Sequence, residues 1–206
     1  PQQLGATVLA AIAERNGLDT SDVDDVIWGT SNQSGSQGGD MGRMAALDAG
    51  YAVTASGVTL DRFCGSGITA VNLAAGSIIA GFEDVVIAGG AEMMSSYAAN
   101  ASGHRTPFMD NGNTRLRERH PQTNQGVAAD AIATIEGIER TALDELAAES
   151  QRRAEVAIKE GRFDRSLVPV FHQDGSMALD REEYPRPGTT TETLAALPPA
   201  FEAIAD

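Results

Sequence analysis

One stretch decides the fold of this chain: Val58-Thr59-Leu60-Asp61-Arg62-Phe63-Cys64-Gly65-Ser66-Gly67-Ile68-Thr69-Ala70. Its alternating apolar start predicts a strand over 57–63, and the small residues that follow predict a helix over 66–80. A thiol at such a turn lies close to a helix N-terminus, where unpaired backbone N–H groups favour thiolate over thiol. Gly65 and Gly67 leave open space around the sulfur, as a bulky acyl group would require.

Cys64 is the single cysteine among 206 residues. A lone cysteine is most often a small buried apolar side chain, so the stretch by itself leaves both a catalytic and a structural interpretation open. One cysteine also excludes a disulfide framework and suits a reducing compartment. We therefore expect a cytoplasmic location.

Composition and charge argue against several kinds of binding partner. The net charge of −14 argues against nucleic acid or an anionic membrane surface. No apolar run approaches the roughly 20 residues of a membrane span. The three histidines, His104, His120 and His172, show no metal-ligand spacing, so we expect no metal. The chain starts at Pro1 without a methionine and reads as part of a longer polypeptide.

A tight set of arginines stands out in this acidic chain: Arg105, Arg115, Arg117 and Arg119. Guanidinium groups suit phosphate geometry, so the set could hold a small anionic ligand. Scattered charge on a solvated loop is the alternative, and the sequence leaves it open.

Helices and strands alternate in the first half of the chain. The patterns predict helices over 3–15, 41–49 and 66–80 and strands over 25–29, 57–63 and 84–90. This order indicates an α/β fold with a parallel or mixed sheet covered on both faces. Working groups in such sheets collect at the carboxyl ends of the strands, where Cys64 and Gly89-Gly90 both fall.

Beyond about residue 97 the sequence becomes polar and irregular. Helices are predicted over 127–135, 141–160 and 190–197, the second with Thr141 as its N-cap, and a short strand is predicted over 167–171. The proline in that strand is typical of a sheet edge. We interpret the region as an irregular α/β subdomain.

Four motifs resemble, in order, those of the thiolases, the acetyl-CoA acyltransferases. They are Asp61–Gly67, the Gly-Gly-x-Glu-x-Met-Ser stretch within Val86–Ser95, Gly161–Val170 and Glu183–Thr190. Each motif alone is weak evidence, but four in the family's order and spacing are strong evidence. Together they cover nearly the whole chain. The resemblance implies a thiolase-like layered fold with a mostly parallel sheet flanked by helices. Residues 1–97 would be the N-terminal core domain without its first strand, and 98–206 the loop domain that covers the coenzyme A site.

Two departures from the family pattern matter. Asp61 stands where the family usually has Asn, Ser or Thr, and Asn124-Gln125-Gly126 replaces the His-Met-Gly of many acetoacetyl-forming members. The second departure favours an acyl group longer or bulkier than acetoacetyl. The family's Gly-His-Pro histidine and second Cys-x-Gly cysteine belong to its C-terminal domain and have no match here, so the isolated chain is expected to be inactive.

The resemblance implies acyl transfer through Cys64. Its thiolate would attack the 3-keto carbonyl of a 3-oxoacyl-CoA, release acetyl-CoA, hold the shortened acyl chain as a thioester and pass it to free CoA. The reverse reaction is a Claisen condensation. By the same resemblance, Arg186 packs on the adenine of CoA, Thr193 lies near that nucleotide and Leu116 lies at the pocket rim. CoA would be a substrate, with no permanently bound cofactor.

Other interpretations stay open at this point. Another condensing enzyme of the superfamily, of the ketoacyl or hydroxymethylglutaryl-CoA synthase type, would use the same cysteine. A thiolase-like subunit that binds acyl-CoA without turnover is a further alternative. The resemblance also implies a homodimer or tetramer. We interpret Glu92 as a buried, hydrogen-bonded carboxylate that holds the turn after Gly89-Gly90, and Met93 and Met94 as packing beneath the site.

Overall fold

Three parallel strands form the sheet of the first half of the chain. They are β1 (Asp25–Gly29), β2 (Val58–Leu60) and β3 (Val86–Gly90), in the order β2-β1-β3. Ile27 of β1 pairs with Val58 on one side and with Ala88 on the other. Because both pairings are parallel, the carboxyl ends of all three strands lie at one edge of the sheet. The α/β fold and the parallel sheet expected from the sequence are confirmed.

The computed structural model describes residues 1–95, 110 and 112–204, the last without its side chain. The described residues up to Ser95 and the segment Val168–Asp180 form one unit, and the remaining described residues form a second. Val168–Asp180 therefore falls in the first unit, although it lies within the range 98–206 assigned to the loop domain. The predicted boundary at 97/98 lies outside the described residues and stays a prediction.

Helices cover both faces of the three-stranded sheet. Val26 and Trp28 point to one face, where they pack with Leu9 of α1 (Gln2–Asn16) and with Met41 and Ala45 of α2 (Met41–Asp48). Ile27 points to the other face and packs with Ala70 and Ala74 of α3 (Ser66–Ala80). This alternation follows from the two-residue period of a strand and explains why β1 is apolar at Val26, Ile27 and Trp28.

The helix that follows the cysteine has the predicted bounds. It begins at Ser66 and ends at Ala80, and the capping residue Gly81 has a φ of 72°, the left-handed conformation that glycine adopts without strain. The preceding strand is shorter than predicted and stops at Leu60 instead of 63. The reason is local: the carboxylate of Asp61 accepts a hydrogen bond from the backbone N–H of Phe63 at 2.7 Å, which forms a turn in place of a strand.

The second unit is mainly helical in the residues that the structure describes. Its helices are α4 (Thr114–Arg119), α5 (Gln125–Glu136), α6 (Arg140–Lys159) and α7 (Thr191–Ala195). The prediction of Thr141 as N-cap of α6 is wrong, because Glu139 occupies that position and Arg140 is already helical. There the Arg140 guanidinium pairs with Asp144 one turn later at 2.9 Å.

A short hairpin follows α6 and belongs to the first unit. It consists of β4 (Val170–Phe171) and β5 (Met177–Leu179), which pair antiparallel. Asp174 accepts hydrogen bonds from the backbone N–H and hydroxyl of Ser176, which closes the turn. The strand predicted over 167–171 is therefore present over its last two residues.

The window Phe63–Ala80 is long and apolar enough, by length and composition, to cross a membrane. The sequence-based expectation of no such run is therefore wrong. The core helix of a water-soluble protein meets the same criterion, so composition does not separate the two cases. In this structure Ala70 and Ala74 of the helix pack on the sheet, while Ile68 and Ile79 are exposed.

Candidate active site

Cys64 lies in the turn between β2 and α3, which we call the nucleophile turn and define as Asp61–Gly65. The cysteine is exposed. It follows the end of β2 by four residues and precedes the first residue of α3 by two. The structure therefore places the thiol at the carboxyl edge of the sheet and beside a helix N-terminus.

Hydrogen bonds hold the nucleophile turn on both sides of the cysteine. The Oγ of Ser66 accepts from the backbone N–H of Arg62 at 2.8 Å and donates to the carbonyl of Phe63 at 2.7 Å. The N–H of Gly65 donates to the carbonyl of Arg62 at 3.0 Å. Phe63 has a φ of 49°, in the left-handed region that side chains other than glycine seldom adopt. The backbone just before Cys64 is thus held in an unfavourable conformation by its neighbours.

The end of β1 contacts the residues that flank the nucleophile turn on both sides. A Cβ on Gly29 would lie 2.7 Å from the carbonyl carbon of Ser66 and 2.9 Å from the nitrogen of Gly67, so only glycine fits there. The next residue, Thr30, donates its N–H to the carbonyl of Leu60 at 3.0 Å, directly before the turn. Gly29 therefore lies against the start of α3, and Thr30 is hydrogen-bonded to the end of β2.

The segment after β3 lies against the same end of β1. Gly90 has no room for a Cβ because the carbonyl oxygen of Gly29 occupies that space. The N–H of Ala91 donates to that carbonyl at 3.2 Å, and the carbonyl of Ala91 accepts from the Thr30 hydroxyl at 3.1 Å. Of the glycine pair at the end of β3, Gly90 is therefore required by this close backbone approach, whereas a Cβ on Gly89 would make ordinary contact with Trp28.

Glu92 gathers hydrogen bonds from the loop after β1. Its Oε2 accepts from the N–H of Ser31 at 2.7 Å and from the Ser31 hydroxyl at 2.8 Å, and its Oε1 accepts from Nε2 of Gln37 at 2.7 Å. Partial burial raises the pKa of Glu92, but the hydrogen bonds from Gln37, Ser31 and the backbone of Asn32 outweigh it, and the net pKa is lowered. The predicted hydrogen bonding is confirmed. The predicted burial is wrong, because Glu92 is an exposed residue whose carboxylate is only partly withdrawn from water.

Gln37 completes this network, and sequence reasoning missed it. Its side chain is 3% exposed, its Nε2 also donates to the carbonyl of Asn32 at 2.9 Å, and its Oε1 accepts from the N–H of Met93 at 2.5 Å. No pattern in the polar loop distinguishes it from the exposed Gln33. The interpretation of Met94 as packing beneath the site is wrong, since Met94 is 74% exposed.

The three predicted coenzyme A contacts lie in the second unit. Leu116 is on α4, partly exposed, with its N–H bound to the capping side chain of Asn113. Arg186 lies in the loop before α7, where its N–H donates to Oε1 of Gln151 at 2.8 Å. Its guanidinium has no hydrogen bond or ion pair with any residue that the structure describes, and it is exposed.

Thr193 has a local structural role. Its hydroxyl accepts from the N–H of Thr190 at 3.1 Å and donates to the Thr190 carbonyl at 2.9 Å, and its own N–H donates to the Thr190 hydroxyl. Together these form a capping box at the start of α7. Arg186 and Thr193 thus flank the turn that leads into this helix.

The arginines of the set Arg105, Arg115, Arg117 and Arg119 do not all have the same surroundings. Arg117 binds Asp110 through two hydrogen bonds of 2.6 and 2.7 Å, and Asp110 is 6% exposed. The Arg117 guanidinium holds the pKa of Asp110 below its ordinary value. Arg117 therefore has a structural partner, whereas Arg105 and His104 lie outside the described residues. Within the described part of the chain, no three His, Cys, Asp or Glu side chains are grouped as a metal site requires.

The chain is similar in sequence to known proteins over almost its whole length. Residues 1–204 match the family model described as "Thiolase, N-terminal domain". The chain is 36% identical to an acetyl-CoA acetyltransferase of Cupriavidus necator over 97% of its own length and 53% of the relative. It is 38% identical to an acetyl-CoA acetyltransferase of Escherichia coli K12, with the same coverage of 97% and 53%.

A third relative carries a different name. The chain is 34% identical to a 3-ketoacyl-CoA thiolase of Saccharophagus degradans, over 96% of the chain and 50% of the relative. The chain therefore spans about half the length of the curated relatives that it matches. The α/β fold with its parallel sheet is consistent with a thiolase N-terminal domain, and the chain belongs to the thiolase family.

Proposed function

We propose that this chain supplies the nucleophile of an acetyl-CoA C-acyltransferase, and that Cys64 carries the acyl group as a thioester. One observation carries the proposal: in a member of the thiolase family, the single cysteine is exposed in a hydrogen-bonded turn between a strand end and a helix N-terminus. A covalent acyl carrier needs an accessible thiol and benefits from nearby positive partial charge, and in support of this role Cys64 is exposed and lies two residues before the start of α3.

The chemical step follows from that placement. The thiolate of Cys64 forms a bond to the 3-keto carbon of a 3-oxoacyl-CoA, and the bond between the second and third acyl carbons breaks. The leaving acetyl-CoA carbanion takes up a proton, and free CoA then attacks the Cys64 thioester and regenerates the thiol. The backbone N–H of Cys64 is our candidate for one donor to the oxyanion of each tetrahedral intermediate.

Coenzyme A recognition is assigned to the second unit. The exposed guanidinium of Arg186 has no partner among the described residues, and a planar cation of this kind can stack on adenine and pair with phosphate. Thr193 and Leu116 are proposed at the nucleotide and the pocket rim. Residues 98–206 would then be the loop domain that covers the CoA site, and CoA a substrate in place of a resident cofactor.

The remaining parts of the proposal concern the whole protein. We place the histidine and the second cysteine of the reaction in the C-terminal domain of a longer polypeptide, so the isolated chain should not turn over. We expect a cytoplasmic homodimer or tetramer without nucleic-acid or membrane partners. Size-exclusion chromatography with light scattering tests the oligomeric state.

The test is an assay of the longest natural polypeptide that carries this chain. Acetoacetyl-CoA and longer 3-oxoacyl-CoAs are supplied with free CoA, and cleavage is compared between the native protein and Cys64→Ala. The proposal predicts cleavage by the native protein, none by Cys64→Ala, and an acyl adduct on Cys64 in the mass spectrum of the substrate-treated enzyme. Equal activity in both proteins would refute it.

The alternatives give different outcomes. A ketoacyl or hydroxymethylglutaryl-CoA synthase would form the Cys64 adduct but fail to cleave 3-oxoacyl-CoA with free CoA. A subunit that binds acyl-CoA without turnover would show no adduct, although acyl-CoA would still bind. Since Cys64 is exposed, iodoacetamide labelling with and without acyl-CoA reports whether the ligand covers the thiol.

A further inference from the structure

The segments after β1 and β3 are joined by a set of hydrogen bonds that the proposed chemistry does not use. We call this set the Glu92 clamp and define it as Ser31, Gln37, Glu92 and Met93. Glu92 accepts three hydrogen bonds of 2.7 to 2.8 Å from the loop after β1, and Gln37 accepts from Met93 in return. The loop after β1 therefore donates hydrogen bonds to the segment after β3 and also accepts one from it.

We propose that Glu92 and Gln37 are positioning residues for Cys64. They tie the carboxyl end of β1 to the segment after β3, and so fix the nucleophile turn, whose flanking residues Leu60 and Ser66 lie against this end of β1. The inference depends on the proposed role of Cys64 for its effect on turnover. Its structural part, that the clamp orders the turn, stands independently of that role.

A continuous path of contacts connects the clamp to the cysteine. Ser31, bound to Glu92, directly follows Thr30, whose N–H donates to the carbonyl of Leu60 at 3.0 Å. Gly29 lies so close to the first turn of α3 that a Cβ would reach the carbonyl carbon of Ser66 at 2.7 Å. The two ends of the nucleophile turn are therefore placed by Gly29 and Thr30, and their neighbour Ser31 is held by Glu92.

The chemistry of the clamp suits positioning. A carboxylate accepting from a backbone N–H, a hydroxyl and an amide forms charge-assisted hydrogen bonds, which are shorter and stronger than neutral ones. Gln37 is 3% exposed, so its amide is fixed by packing as well as by three hydrogen bonds. A reacting group displaced by about 1 Å can lose about 100-fold in rate, so a rigid support for the turn has a direct consequence.

The opposite edge of the sheet offers a matched control. Asp24, just before β1, accepts from the N–H groups of Asp84 and Val85 at 2.7 and 3.0 Å, just before β3. Like Glu92, it is a carboxylate that ties the chain beside β1 to the chain beside β3. Asp24 lies at the amino ends of the strands, away from the nucleophile turn. Asp24→Asn should therefore destabilise the sheet without affecting the turn.

The experiment compares Glu92→Gln, Gln37→Met and Asp24→Asn in the longest natural polypeptide that carries this chain. Glu92→Gln keeps the size of the side chain but replaces an acceptor with a donor that faces other donors. We expect kcat to fall at least 10-fold in Glu92→Gln and Gln37→Met, with KM for the acyl-CoA changed less than threefold. Asp24→Asn should keep kcat within twofold of the native protein. This should hold even if its melting temperature falls as much as those of Glu92→Gln and Gln37→Met.

A second measurement does not require turnover. Hydrogen exchange at the amides of Arg62 and Gly65, both bonded within or beside the nucleophile turn, should be about 10-fold faster in Glu92→Gln and unchanged in Asp24→Asn. Native kcat and native exchange in both clamp variants, or equal losses in Asp24→Asn, would overturn the proposal. An inactive native protein, or full activity in Cys64→Ala, would instead refute the role of Cys64, and the exchange data would still decide the clamp.

Discussion

The hydroxyl of Ser66 donates to the carbonyl oxygen of Phe63 at 2.7 Å and so bridges the backbone across Cys64. The hydroxyl oxygen of Ser66 also accepts a hydrogen bond from the backbone N–H of Arg62 at 2.8 Å. One buried hydroxyl on the first residue of α3 therefore closes the turn that presents the cysteine, and Ser66 is 5% exposed. The backbone that carries the thiol is therefore held by this side chain as well as by the start of the helix.

Replacing Ser66 by alanine should loosen the turn. The change leaves the Arg62 N–H without its acceptor, and we expect a loss of about 1–2 kcal/mol in the free energy of unfolding. Urea denaturation measures it. Ser77→Ala on the same helix is the control, because its hydroxyl has no hydrogen-bond partner in the described part of the chain, and its stability should change by less than about 0.5 kcal/mol.

At Phe63, a glycine variant should be more stable than an alanine variant, which is the reverse of the order expected within a helix. Its φ of 49° is easily adopted by glycine and strained for any other side chain. We therefore expect Phe63→Gly to be more stable than Phe63→Ala by about 1 kcal/mol. Thermal unfolding of the two variants checks the order. A more stable alanine variant would mean that the turn does not impose this conformation.

Gly29 should not tolerate even one methyl group. A Cβ there would meet backbone atoms of Ser66 and Gly67 at 2.7 to 2.9 Å, and backbone cannot rotate away as a side chain can. Gly29→Ala should cost about 1–3 kcal/mol or fail to fold. Gly76→Ala is the matched control: its Cβ has open space within α3, and helix propensity predicts a gain of up to about 1 kcal/mol.

Arg186→Ala should raise KM for CoA about 10-fold, with kcat unchanged, if its guanidinium pairs with the nucleotide. Tenfold corresponds to about 1.4 kcal/mol, near the contribution of one hydrogen bond to a charged group. Steady-state kinetics of the longest natural polypeptide measure it. Arg162→Ala removes another exposed arginine, one that pairs with Glu160, and should leave KM unaltered. Equal values for both variants would exclude the assignment.

The contribution of Glu92 to stability should depend on pH with a defined sign. Its pKa in the folded protein is lowered from the ordinary 4.5, because the hydrogen bonds to its carboxylate outweigh the effect of burial. The stabilisation is therefore complete above 4.5 and is lost as pH falls through the lowered value. The stability difference between the native protein and Glu92→Gln should be constant above about pH 5 and shrink below it. A difference that grows on acidification would contradict the lowered pKa.

Local sequence by itself determined much of this protein. The alternation in β1, the small residues of α3 and the glycine at position 81 act over a few residues, so the sheet, its covering helices and the bounds 66–80 could be predicted. The strand-to-helix position of Cys64 follows from the same short-range patterns. The family resemblance rests on motifs that are equally local.

Only the tertiary structure decided what supports the cysteine. Glu92 and Ser31 are 61 residues apart, and Gln37 and Glu92 are 55 apart, so their hydrogen bonds exist only once parallel strands bring the two segments to one edge. The early end of β2 and the left-handed Phe63 likewise arise from side chains that compete with the ladder for backbone groups. Periodicity reports which face a residue occupies, whereas the partner of a polar side chain depends on where the whole chain has folded.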